Sequence, residues 1–322
     1  MNFLITGAAG FLGSALANHL SQQGHQVRGL DDLSTGDKDA LSPDVHFTRG
    51  DVNDRPKLWT LLQDVDVVYH LAARVSVPES VLYPREYNAV NVGGTVSLME
   101  AMRDVGVRRV ILASSGAVYG DVPLPHLSPE GEERTAPKLS ESTPPNPRSP
   151  YAVSKLAAEH YIRTIGALWG IETVSLRIFN AYGPGQRIPV SHPPVVPHFI
   201  RQTARNGTLV IHNDGSQTRD YVYVDDVISA LTATTTAPDL DGLVINIGSG
   251  EETSVRELVN TVTEVIPGKA EVIYNPRVSG GVSRMCADLS LAKKKLGYQP
   301  SVSLADGLRM TFEKDIRFSS IA

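Results

Sequence analysis

Gly7, Gly10 and Gly13 stand between an apolar stretch, residues 2–6, and a stretch of helical spacing that begins at Phe11. No other feature constrains the fold as much as this G-x-x-G-x-x-G. Three absent side chains let a strand turn sharply into a helix, let that helix press against the strand, and let backbone approach a ligand closely. The amides of such a turn sit at the positive end of a helix dipole, so the ligand they suit is a pyrophosphate.

The same alternation of short β-branched runs and helical spacing continues for half the chain. Strands are expected at 2–6, 26–30, 45–48, 67–70, 107–113 and 173–179, and helices at 11–23, 87–104 and 151–168. Runs apolar enough to be covered on both faces, separated by helices, predict an α/β fold: a Rossmann-type doubly wound parallel sheet. Eight prolines between Pro123 and Pro150 exclude a regular element there and predict a long loop. Beyond residue 180 the pattern becomes irregular, with a helix expected at 195–205, a strand at 221–224 and an amphipathic helix at 304–312. Residues 1–179 are therefore expected to form a dinucleotide-binding domain that also receives segments near 219–248. Residues 180–322 are expected to form a smaller mixed α/β substrate-binding lobe interleaved with it.

Composition narrows the partners. Thirty basic against thirty-five acidic residues, with no dense Lys/Arg run, argue against nucleic acid. No apolar run reaches the roughly 18 residues of a membrane span, and the start of the chain has no secretory pattern. One cysteine, Cys286, reads as a packing residue in a reducing cytoplasm. The nine histidines show no metal-ligand spacing, and His70 reads as a hydrogen-bonded core residue.

Asp31 ends the second expected strand, eighteen residues after Gly13, where a carboxylate accepts hydrogen bonds from an adenosine ribose. That charge would repel a 2′-phosphate, so the cofactor expected is NAD; Asp32 is an alternative for the same role. Tyr151 and Lys155 share one face of a helix, and Ser114-Ser115 ends the fifth strand, at the edge where ligands gather in such sheets. Ser115, Tyr151 and Lys155 are thus expected around one point. A phenol with pKa near 10 becomes a base at neutral pH if a neighbouring ammonium and a positive nicotinamide stabilise phenolate; three units correspond to about 4 kcal/mol.

These residues, with Asp51-Val52, His70-Leu71-Ala72-Ala73, Asn91, Tyr151-x-x-x-Lys155 and the run from Arg219 to Asp226, follow the order found in extended short-chain dehydrogenases/reductases. The chain resembles the nucleotide-sugar epimerase/dehydratase branch over residues 1–311. The resemblance implies that Phe11 and Leu12 in the glycine turn, Asp51, Val52, Leu71, Ala72, Ala73, Asn91 and Ser114 join the glycines, Tyr151 and Lys155 around NAD. It implies a nucleotide-sugar substrate, with Ser115, Tyr151 and Lys155 catalytic. Asn180 would meet a phosphate, Val196 and Phe199 the nucleotide base, and Arg219 and Arg284 the diphosphate, which guanidinium grips through paired hydrogen bonds. Ser76 and Met285 would line the sugar pocket. Arg187 lies where some relatives hold a C6 carboxylate.

Dehydratases of this branch carry Asp-Glu after the catalytic hydroxyl residue, and decarboxylases a glutamate at the second position; here Gly116-Ala117 stands. Oxidation followed by hydride return to the other face is then the expected outcome, inverting C4 of a UDP-hexose of the glucose/galactose type. UDP-glucuronate is the alternative substrate, and dehydration or keto-sugar reduction the alternative reactions. The resemblance also implies a homodimer, with Leu98, Met102 and Ile162 of the 87–104 and 151–168 helices facing a second copy.

Overall fold

The computed structural model describes residues 1–121, 137–276 and 282–319. Part of the expected proline-rich loop, residues 122–136, lies outside them. Seven strands form the central sheet: β1 (Asn2–Thr6), β2 (Gln26–Asp31), β3 (His46–Arg49), β4 (Val67–His70), β5 (Arg109–Ser115), β6 (Glu172–Ile178) and β7 (Leu243–Ile247). Their order is β7-β6-β5-β4-β1-β2-β3 and every pairing is parallel. The chain leaves β1 in one direction and returns at β4 on its other side, so a crevice opens at their carboxyl ends, the binding position of a doubly wound sheet.

Side chains of β1 alternate between two cores, as a strand buried on both faces requires. Phe3 and Ile5 join Leu16, Leu20, Tyr69 and Ile111 on one face, while Leu4 joins Leu30, Val68, Val110 and Leu112 on the other. Leu98, Met102 and Ile162 belong to this second core and are at most 1 % exposed. They face the sheet and not a second copy, because the apolar stripe of each helix is consumed in covering the strands.

The helix expected at 87–104 is three consecutive pieces: Pro84–Asn88, a π-helical turn Ala89–Gly93, and Gly94–Val105. Val52 packs where a Cβ on Gly94 would lie 2.4 Å from its Cγ1, so glycine permits this close approach. The fifth strand begins and ends two residues later than expected, which places Ser114 and Ser115 inside its last turn of pleat.

Segments beyond residue 180 feed the central sheet as well as a smaller cluster. β7 pairs with β6, and the helix Val224–Ala233 packs on the first helix, Phe11–Gln22. The remainder gathers the helices Val195–Ala204, Val255–Val265 and Leu304–Lys314 beside a parallel pair, Thr208–His212 with Glu271–Asn275. Ser254 and Glu257 close a reciprocal cap on the middle helix. Two small pairs link the parts: Asn180–Tyr182 with Tyr221–Tyr223, and Thr218–Arg219 with Thr253–Ser254.

Candidate active site

The glycine turn is built by close contact. Gly7 adopts a φ of 72°, and a Cβ there would lie 2.6 Å from the Ala72 backbone nitrogen. At Gly13 a Cβ would lie 2.0 Å from the Gly7 carbonyl oxygen. Gly10 is different: its nearest obstacle is the same oxygen at 3.2 Å, so this face of the turn is open. Gly10 caps the helix without a side-chain acceptor, and the first turn carries no acid. The amides of Phe11, Leu12 and Gly13 therefore point to a space suited to an anion.

Asp31 rather than Asp32 faces this turn. The Asp31 carboxylate accepts hydrogen bonds from the Ala9 amide at 3.0 Å and the Leu33 amide at 2.8 Å, and burial raises its pKa. Asp32 is exposed and accepts from Ser34 in its own loop. Leu71, Ala72 and Ala73 leave the end of β4 half-buried beside Gly7, with the Leu71 amide bonded to the Thr6 carbonyl. Asp51 is exposed and closes a turn onto Asn53, while Val52 beside it is buried.

Two of the residues expected beside the cofactor also tie the structure together. The Asn91 amide accepts from the Arg74 amide and donates to the Arg74 carbonyl and the Ser154 hydroxyl, so it fastens the 71–76 segment to the Tyr151 helix. Ser114 donates to Glu159, which pairs with Arg177 at 2.8 Å in the interior. Both polar groups are buried and bonded to protein, as an unbonded buried group is costly.

His70 is also fully bonded. Thr95 donates to the Asn91 carbonyl, so its oxygen accepts from His70 Nε2, and Nδ1 accepts from Thr6. Burial, helped by the Lys155 charge, pushes its pKa down to about 3.

The helix Pro150–Trp169 starts from Ser149, whose hydroxyl accepts from the Ala152 amide, with proline in the first position. Tyr151 and Lys155 consequently occupy its first two turns, both buried against the end of β5. Lys155 Nζ donates to the Ala113 carbonyl at 2.8 Å, and burial lowers its pKa to about 8, opposed by Glu159. Burial raises the Tyr151 pKa, opposed by hydrogen bonding with Ser115. The sequence predicts depression of this phenol by an ammonium together with a positive nicotinamide; in the protein alone burial sets the direction. Ser115, Tyr151 and Lys155 do converge at the crevice.

Two further residues support Tyr151. Tyr87 meets its ring edge to face, with centroids 6.5 Å apart and planes at 88°, and donates to Glu79 at 2.9 Å. Ser76, expected in the sugar pocket, caps the short helix Val77–Leu82 by accepting from the Glu79 amide.

On the opposite bank, Asn180 lies in register with Tyr221, and its side-chain amide makes no hydrogen bond among the described residues. Arg219 is half-buried, with a pKa lowered by burial. Arg284 pairs with Glu252 and also donates to the Pro137 carbonyl. Met285 is buried with Val118, Tyr119, Leu139 and Phe179. Arg187 is exposed in the loop after Gly183. Val196 and Phe199, expected against a base, are buried with the main core, and Val195 and His198 on the same helix are partly open.

Sequence reasoning missed Glu252, Tyr221 and the Glu159–Arg177 pair. Glu252 follows the carboxyl end of a parallel strand, a position that marks it. Arg177, a charge inside an apolar strand, demanded a buried partner. The Tyr221 hydroxyl is buried beside Arg219 with no hydrogen-bond partner among the described residues.

Residues 3–248 match the NAD dependent epimerase/dehydratase family. A UDP-glucose 4-epimerase from Mycolicibacterium smegmatis is 39 % identical over 320 residues, covering 97 % of this chain and 98 % of that one. The Thermotoga maritima UDP-glucose 4-epimerase, solved with UDP-glucose, superposes with a TM-score of 0.89 at 32 % identity, covering 99 % of each chain. The Bacillus cereus UDP-glucuronic acid 4-epimerase, solved with UDP-glucuronic acid and NAD, gives 0.86 at 33 % identity, covering 97 % of this chain and 98 % of that one. With this sheet order, glycine turn and trio, the chain belongs to the NAD dependent epimerase/dehydratase family.

Proposed function

We propose that this protein is an isomerase that interconverts the C4 epimers of a UDP-hexose of the glucose/galactose type, with NAD as a cofactor that is not consumed. The observation that carries the reading is a complete Ser115–Tyr151–Lys155 site followed directly by Gly116 and Ala117, neither of which carries an acid. A Cβ on Gly116 would lie 3.1 Å from the Phe179 ring, so a side chain there would require that ring to give by a few tenths of an ångström.

The residues fit NAD: Gly7 and Gly13 let the turn pack where a side chain would strike backbone, Gly10 leaves its face open, and Asp31 would stand at the adenosine end. The amides of Phe11 to Gly13 would hold the pyrophosphate, Asp31 the ribose, Lys155 the second ribose, and Asp51, Val52 and Leu71 to Ala73 the walls. When bound, NAD supplies a hydride acceptor that becomes a hydride donor.

Tyr151 takes the proton of the C4 hydroxyl as the C4 hydrogen departs and returns a proton to the new hydroxyl after the 4-keto sugar has turned. Ser115 holds that hydroxyl toward the phenol. Lys155 supplies positive charge that favours phenolate. Asn180, Tyr221, Arg219 and Arg284 hold the diphosphate end while the hexose turns, and Met285 and Ser76 border the sugar.

Arg187 supports a second substrate, UDP-glucuronate, because an exposed guanidinium in the loop that follows Gly183 suits a C6 carboxylate. We further propose a homodimer: Val153 and Tyr161 stand out from the Pro150–Trp169 helix, and Val81 and Leu82 stand exposed on the helix packed against it. A cytoplasmic location fits the one thiol, Cys286, buried and with a pKa pushed up to about 12 by burial.

Incubation with UDP-glucose, UDP-glucuronate and UDP-N-acetylglucosamine, resolved by NMR, tests the reading. UDP-galactose from UDP-glucose is expected. A 4-keto-6-deoxy product, or reduced nicotinamide formed in proportion to turnover, contradicts it.

A further inference from the structure

Glu252 holds Arg284 along a whole edge. The Nε group donates to both carboxylate oxygens, at 2.7 and 2.8 Å, and Nη2 donates to one of them at 2.5 Å. Nη1 donates to the Pro137 carbonyl at 2.8 Å. The Arg284 side chain is only 12 % exposed and that of Glu252 is 30 % exposed, so this is an enclosed pair and not a surface encounter.

The carboxylate is itself fixed. Thr218 donates to it at 2.6 Å, and Thr218 precedes Arg219 on the strand that pairs with Thr253–Ser254, where Thr253 is in register with Arg219. One carboxylate thus joins Arg284 to the strand that carries Arg219. Its pKa remains below the usual carboxylate value because hydrogen bonds from Arg284 and Thr218 outweigh burial, so it is charged at neutral pH.

We propose that Glu252 is a positioning residue for the diphosphate of the nucleotide sugar, setting the orientation of Arg284 and its spacing from Arg219. The inference rests on the diphosphate reading of those two arginines given above. An arginine side chain carries several freely rotating bonds, and ordering it at the moment of binding costs affinity; a partner that orders it beforehand removes that cost. A carboxylate near an anionic ligand also repels it, and Glu252 is neutralised by the very guanidinium it holds. Orientation and charge therefore give opposite signs on removal of Glu252, and the proposal is that orientation wins.

Calorimetric titration of UDP into the NAD-saturated full chain decides between them. Glu252→Ala is expected to weaken UDP roughly five- to tenfold and to raise KM for the UDP-sugar by the same factor, with kcat at saturation within about twofold. Glu252→Asp recovers part of the affinity and carries the same prediction at smaller size should Glu252→Ala fail to fold. Raising salt screens the charge effect, so the deficit of Glu252→Ala persists or grows relative to wild type. Unchanged or tighter UDP binding by Glu252→Ala, or a loss of kcat at unchanged KM, overturns the proposal. Wild-type protein without affinity for UDP overturns the diphosphate reading itself, a separate failure from the first.

Discussion

The Lys155 ammonium donates to the Ala113 carbonyl at 2.8 Å, tying the helix that carries Tyr151 to the strand that carries Ser115. The tie brings a charge into the interior, and that has a consequence for stability. Lys155 titrates near 8 when folded against an ordinary value of 10.5, so between these values the unfolded chain binds more protons and stability rises with pH. Wild type is expected to gain stability over Lys155→Met from about pH 8 to about pH 10.5. The shift of 10.5 to about 8 corresponds to about 3 kcal/mol, an order of magnitude for a buried group. Paired urea melts across that range check it; a constant difference refutes it.

Replacing Tyr151 with Phe keeps the ring against Tyr87 and removes only the group that moves the proton. Turnover is expected to fall by about 10² to 10⁴, the range for one positioned acid–base group, while UDP affinity stays within twofold. Retention of most of the activity in steady-state assays contradicts the assignment.

His70 is held neutral by Thr6 and Thr95, with its pKa at about 3 against an ordinary 6.5. As pH falls below 6.5 the unfolded chain takes up a proton that the folded one refuses, so stability is lost down to about 3. Between pH 6.5 and 4.5 this amounts to about 3 kcal/mol. His70→Gln is expected to show a shallower acid decline in thermal melts, although it starts less stable at neutral pH; parallel declines refute the claim.

The glycines separate by role. Gly13→Ala forces a Cβ to 2.0 Å from the Gly7 carbonyl and is expected to lower Tm by several degrees with or without NAD. Gly10→Ala meets only a 3.2 Å contact and is expected to fold near normally while binding NAD several-fold more weakly, because the new methyl enters the open face. Equal losses of stability in the two variants contradict this division.

The sheet and the trio were legible because each depends on local grammar. Residues 2–6, the glycine turn and the spacing of Tyr151 and Lys155 state their own geometry, and all four strands from Asn2 to His70 lie within one residue of expectation at either end. The protein partners of Asn91, Ser114 and Phe199 were not legible, since which way a polar or apolar side chain turns depends on residues far along the chain: Ser154 for Asn91, Glu159 for Ser114, the main core for Phe199. Leu98 and Met102 had the same ambiguity, as an apolar stripe on a helix reads alike whether it faces a sheet or another molecule. The raised pKa of Tyr151 was hidden for a further reason: sequence places Lys155 on its face but does not show how completely the phenol is buried.

The fate of the hydrogen at C4 tests the central claim most directly. UDP-glucose deuterated at C4 is predicted to give UDP-galactose that retains the deuterium at C4, because the hydrogen leaves and returns as hydride without meeting water. Loss of the label to solvent, or its appearance at another carbon of a deoxygenated product, contradicts hydride return to the opposite face.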